Sequence, residues 1–114
     1  MTVIHETAHN GAFLVSEGNG TISRETITAL ADMLPGTVLA SNGAGFLPLD
    51  PEADDGSEIA AGVLFGHATE GDQAVAVVRL AEVRGSDLIW PEGITGPEKA
   101  QAVADLGALS IVIR

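Results

Sequence analysis

The segment Gln73-Ala74-Val75-Ala76-Val77-Val78-Arg79-Leu80 constrains the fold more than any other stretch of this chain. Successive side chains of a strand point to opposite faces, and here both faces are apolar as far as Arg79. Such a strand needs cover on two sides. It is therefore central in a sheet, or it turns one face towards another subunit. Gly71-Asp72 supplies the turn that leads into it.

The flanking sequence repeats the theme of short extended runs cut by turn residues. Ala12 to Val15 is a short apolar run, broken by Gly18-Asn19-Gly20. Thr21 to Leu30 is rich in Thr and Ile and favours extended structure. After the Pro35-Gly36 turn, Thr37 to Ala40 and Phe46 to Leu49 read as a hairpin around a Gly-rich turn, with Pro48 marking an edge strand. Ile59 to Phe65 is a strand with a bulge or close backbone approach at Gly62, and Ser86 to Trp90 is a further short strand stopped by Pro91. One helix is expected over Pro97 to Leu106. Pro97 opens it, Glu98 sits in its first turn, Ala100, Val103 and Ala104 form its apolar stripe, and Gly107 stops it. Ser110 to Ile113 closes the chain as a strand. The class is mainly β: a small single domain of seven or eight short strands and one short C-terminal helix. Residues 1–11 end at Asn10-Gly11, offer only Val3 and Ile4 for packing, and read as an extended N-terminal arm on a domain spanning 12–114.

Composition excludes whole classes of function. The 114 residues suit one core. With no cysteine there is neither a disulfide framework nor a thiolate metal site. No apolar run approaches membrane-spanning length, and the N-terminus has no secretory-signal pattern. The net charge is −11, and between Arg24 and Arg79 nine carboxylates stand with no Lys or Arg. A phosphate backbone is repelled by such a surface, so no nucleic-acid partner is expected. The 17 alanines and 14 glycines leave few large side chains for the core. A small domain with so little apolar bulk gains stability by oligomerising.

Two motifs carry possible chemistry. His5-Glu6-Thr7-Ala8-His9 matches H-E-x-x-H, in which two His on one helical face hold zinc and Glu serves as base. The match sits five residues from the start, among poor helix formers, and runs directly into Asn10-Gly11. A chance match in a polar arm is the favoured reading and a small zinc metalloprotease the alternative, with His67 or a carboxylate as third ligand. Asp50 to Gly56 is acidic like a calcium loop, but its sixth and twelfth positions hold Asp55 and Ala61 instead of Gly and Glu. A ligand-binding or calcium-binding β-module is thus a second alternative to a solvated turn. No catalytic residue, metal or cofactor is assigned.

The residues from about 12 to 114 resemble the phage head decoration protein family of lambda-like capsids. The resemblance is carried by Phe13-Leu14-Val15-Ser16-Glu17, Asn19-Gly20, Ser23-Arg24-Glu25, Gly36-Thr37-Val38-Leu39 and Asp55-Gly56-Ser57-Glu58 with Ala60-Ala61-Gly62. It continues through Val77-Val78-Arg79, Ala81-Glu82-Val83, Leu88, Trp90-Pro91, Gly93 and Ile111-Val112-Ile113-Arg114. It implies a bent-ribbon (β-clip-like) arrangement and a homotrimer. It also implies binding to the major capsid protein at three-fold and quasi-three-fold positions outside the expanded head. The family has no catalytic residues to carry over. The expected location is the capsid exterior of the virion, after the host cytoplasm during assembly. In the family the N-terminal segment contacts the shell. Val3 and Ile4, followed by Phe13, Leu14 and Val15, are the candidate capsid-binding residues, acting by strand addition. Val75, Val77, Trp90 and Pro91 are the candidate trimer contacts.

Overall fold

The computed structural model describes residues 14–17, 23–53 and 56–114, with the backbone alone for 15–17. The arm, residues 1–11, lies outside the described residues, as does Phe13. Eight strands among the described residues form two sheets: β1 (Leu14–Glu17), β2 (Arg24–Thr28), β3 (Val38–Ser41), β4 (Phe46–Pro48), β5 (Ala60–Leu64), β6 (Gln73–Val77), β7 (Ala81–Val83) and β8 (Ile111–Ile113). The larger sheet has the order β2-β6-β5-β3-β4 and the smaller β1-β7-β8. One helix, α1 (Gly96–Ala108), joins β7 to β8. That pair is parallel, and parallel neighbours need a long crossover of this kind.

The larger sheet is antiparallel throughout, and its inner strands β3 and β5 are buried on both faces. Alternation assigns its side chains. Val38, Ala40, Ala60, Val63 and Val77 point to one face, where they meet Ala81 and Val83 of β7, Ile111 of β8 and Ala102 and Leu106 of α1. Leu39, Leu64, Ala76 and Val78 point to the other, with Ile27, Ala29 and Met33. The sheet also curls until its outer strands touch. Ala29 and Phe46 form a bridge, and the Leu30 amide donates to the Phe46 carbonyl at 2.8 Å. A Cβ on Gly45 would stand 2.8 Å from the Thr28 carbonyl oxygen, so only glycine fits where the two edges meet.

The chain changes sheets at Leu80, which takes the left-handed conformation with φ 53°. The hydroxyl of Ser23, itself fully buried, donates to the Leu80 carbonyl at 3.0 Å. Ser110, with φ 63°, holds the matching position before β8. The Leu80 amide donates to Leu109 O at 3.3 Å and the Ala81 amide to Ser110 O at 3.1 Å, so the two left-handed turns are laced together. At the far end of β8 the Arg114 guanidinium pairs with Glu82, which raises the pKa of the arginine through a side-chain hydrogen bond and charge attraction.

Most expected elements are present. The hairpin is β3–β4, Pro48 lies on an edge strand, and β5 has a register shift opposite Leu39 and Ala40, beside Gly62. Three expectations are corrected. Ser86 to Trp90 is no strand: Gly85–Asp87 is a 3-10 turn, and only Ile89 bridges, to Thr37. The local hydrogen bond from the Asp87 amide to Arg84 O takes the backbone that a ladder would have used. The strand expected over 73–80 stops at Val77, and residues 78–80 leave the ladder for the left-handed turn at Leu80 that sends the chain into β7. The helix runs past Gly107, and it buries Ala102 and Leu106 while Ala100, Val103 and Ala104 are exposed. Its start is as expected in kind: Thr95 caps it, in a reciprocal capping box with Glu98.

Candidate functional site

Two apolar grooves open on the surface. The first is built on the Pro35-Gly36 turn, where Gly36 has φ 92°. The Ile89 amide donates to Gly36 O at 2.8 Å and the Val38 amide to Ile89 O at 3.1 Å, which pins the segment before Trp90 against β3. Met33 and Ala68 exchange two backbone bonds of 3.0 Å and fix the opposite wall. The groove encloses about 530 Å³ between Leu34, Pro48, Ile89, Trp90 and Pro91, with Asp32 and His67 among its polar lining. Leu34 is 47% exposed and Ile89 39%. Trp90 is half-buried against the core, with the Lys99 ammonium 5.0 Å from its ring. Its Nε1 is buried and has no hydrogen-bond partner among the described residues.

The second groove, also about 530 Å³, lies where the two left-handed turns meet the larger sheet. Phe46, Ala61, Val78, Leu80 and Leu109 line it. Leu80 is 45% exposed there, although a leucine with positive φ costs about 1–2 kcal/mol in backbone energy. Arg79 pairs with Glu25 at 2.7 Å along its edge.

The acidic loop uses its polar groups on itself. The Asp50 carboxylate accepts from the Glu52 amide at 3.2 Å, and the Glu58 carboxylate from the Gly56 amide at 2.9 Å. Among the described residues no three His, Asp or Glu side chains are grouped to hold a metal. Asp54, Asp55, His5, Glu6 and His9 lie outside the described residues, and His67 is exposed on the wall of the first groove.

The sequence-derived candidates are scattered. Val3, Ile4 and Phe13 lie outside the described residues. Leu14 is half-buried against the core and Val15 stands where the β1–β7 register shifts, at the outer edge of the smaller sheet. Trp90 and Pro91 line the first groove. Val75 is at the surface, whereas Val77 is wholly inside the protomer core and presents no surface to a neighbour. Leu34 and Ile89 escaped the sequence reading, and Leu80 entered it only as the end of the 73–80 strand. Each is a single apolar residue beside a turn, and only the fold makes it part of a patch.

Two apolar grooves on a small, mainly β module are surfaces of the kind that proteins use to contact one another. The family model described as bacteriophage lambda head decoration protein D matches residues 3–111, and the chain belongs to that family of structural capsid components. No curated protein matches the sequence significantly. Family membership gives the chain a phage capsid decoration role on the head exterior.

Proposed function

We propose that the protein binds the major capsid protein as a homotrimer, at three-fold and quasi-three-fold positions of the expanded head, and stabilises the shell mechanically rather than catalytically. The family match over nearly the whole chain carries this reading. The exposed apolar residues of the two grooves support self-association, because a domain with so small a core leaves them uncovered only at a cost. A shell under outward pressure fails where subunits meet. A trimer bridging several subunits adds binding free energy that must be lost before the joint opens.

The arm, residues 1–11, is the proposed anchor, with Val3, Ile4, Phe13, Leu14 and Val15 as the capsid-binding residues and 12–114 as the domain it serves. The position of β1 at a sheet edge favours strand addition continuing from the arm. The protein would pass from the host cytoplasm to the capsid exterior during assembly. The test is binding of the purified protein to mature heads and to unexpanded precursors, followed by heating of decorated and bare heads. Binding confined to mature heads, with a higher rupture temperature for decorated ones, is expected. Equal rupture temperatures would remove the stabilising role.

A further inference from the structure

We propose that Asn42 is a site of self-modification, where the fold drives the side-chain amide to aspartate or isoaspartate through a succinimide ring. Asn42 and Gly43 occupy the turn between β3 and β4, residues 42–45. Ser41 pairs with Phe46 at the mouth of this turn, and the Asn42 amide donates to Gly45 O at 3.3 Å. The Asn42 side chain is held as well, because its Oδ1 accepts from the Ala44 amide at 2.9 Å. Gly43, with φ 94°, is exposed and has open space where a side chain would stand. The other two Asn-Gly pairs, at 10–11 and 19–20, lie outside the described residues.

Each of these contacts serves a step of the reaction. The Gly43 nitrogen, once its proton has left, attacks Cγ of Asn42 and closes the ring. Glycine places no Cβ in the way of this closure. The Gly43 amide donates to Ser41 Oγ at 3.3 Å, so that hydroxyl is placed to relay the proton to hydroxide or water. As the N–Cγ bond forms, negative charge collects on Oδ1. The Ala44 amide already points at that oxygen and stabilises the charge as an oxyanion-hole donor does. The Cγ–Nδ2 bond then breaks, and the side-chain nitrogen takes a proton from water and leaves as ammonia. Water adds to either ring carbonyl and the ring C–N bond opens, releasing a carboxylate. One route gives aspartate, and the other gives isoaspartate, with an extra carbon in the backbone. Both add a negative charge to a chain that already carries −11. The turn lengthened by isoaspartate leads into Gly45, where the Thr28 carbonyl leaves no room even for a Cβ. Ageing at Asn42 therefore loosens the closure of β4 on Ala29.

The test incubates the full chain in mildly alkaline buffer, native and unfolded in guanidinium chloride. Peptides containing Asn42 are followed by mass spectrometry for the exchange of ammonia for water. Modification at Asn42 should run about tenfold faster in the native chain than in the unfolded one, the gain expected of one well-placed hydrogen bond. Ala44→Pro removes the amide that faces Oδ1 and should lower the native rate to near the unfolded rate. Ser41→Ala removes the relay and should slow the native reaction severalfold. Circular dichroism checks that both variants keep the fold. A native rate equal to or below the unfolded rate would show that the turn shields Asn42, and the proposal would fall. It would fall equally if Ala44→Pro, folded, were modified as fast as the unaltered chain. Should that variant not fold, the comparison of native with unfolded chain decides. An unchanged rate in Ser41→Ala would remove the proton relay from the mechanism.

Discussion

A Cβ on Gly62 would lie 2.7 Å from the carbonyl oxygen of Val77, so β5 and β6 approach at this point as only a glycine allows. The obstacle is backbone, which cannot swing aside as a side chain would. Val78 Cγ1, 3.4 Å away, closes the space further. Gly62→Ala should therefore force the two strands apart at a buried point of the sheet, lowering stability by about 1–3 kcal/mol. Urea unfolding measures this as a lower midpoint with unchanged slope. An unchanged midpoint would mean the sheet yields without loss.

Leu106 has no exposed surface and joins α1 to the larger sheet within the main core. Truncation to alanine removes its burial and leaves a cavity, so Leu106→Ala should cost about 2–5 kcal/mol. Leu106→Met, which conserves volume, should cost less than about 1.5 kcal/mol. Thermal unfolding of both variants separates a packing role from a simple need for an apolar residue.

Thr95 accepts a hydrogen bond from the Glu98 amide at 3.3 Å, while the Glu98 carboxylate accepts from the Thr95 amide at 3.0 Å. Thr95→Ala removes one half of this box at an exposed site and should cost about 0.5–2 kcal/mol. Thr95→Ser keeps the acceptor and should be close to neutral in the same denaturation experiment.

Ser110 follows the helix with φ 63° and is exposed. Glycine is at home in that conformation. Relief of about 1–2 kcal/mol of left-handed strain outweighs the roughly 0.5–1 kcal/mol of extra chain entropy that glycine loses. Ser110→Gly should therefore raise stability by about 0.5–1 kcal/mol, read as a higher denaturation midpoint. A lower midpoint would show that the serine side chain contributes more than its backbone costs.

The arm gives the fifth prediction. On the proposed reading, ordering roughly ten residues on binding costs on the order of 10 kcal/mol, so one arm alone should bind weakly and three arms linked in a trimer should act through effective concentration. A chain lacking residues 2–11 should stay folded and trimeric but fail to bind mature heads in a co-sedimentation assay. A His5→Ala/His9→Ala double variant should bind nearly as the unaltered chain does, since strand addition draws on the backbone. Retained binding by the truncated chain would move the anchor to the body of the trimer.

The local chemistry of the chain was legible wherever one residue type answers one backbone need. Gly62, Pro48 on its edge strand, the Pro35-Gly36 turn and the opening of the helix each follow from the conformations their residues allow. The partition of Val38 and Leu39, or of Val63 and Leu64, between two cores follows from strand alternation. The helix face was misread because alanines fill much of α1, so its pattern does not distinguish Ala100 and Ala104 from Ala102. The small sheet supplies what selects the face, since β8 and β7 reach the core that Ala102 and Leu106 also fill.

Alternation and turn residues, acting over a few positions, determined that this chain is a small β protein with one late helix, a cysteine-free interior and an acidic surface. Tertiary structure alone decided where the apolar run from Ala74 to Leu80 breaks and which residues form the grooves. Hydropathy records how apolar a residue is but carries no sign of a left-handed φ. The turn at Leu80 is held by Ser23, 57 positions away in the chain, through one buried hydroxyl. Leu34 and Ile89 become neighbours on one wall only after Thr37 and Ile89 bridge. A surface patch of this kind is a sum of distant residues, and their proximity exists only once the sheets have closed on the core.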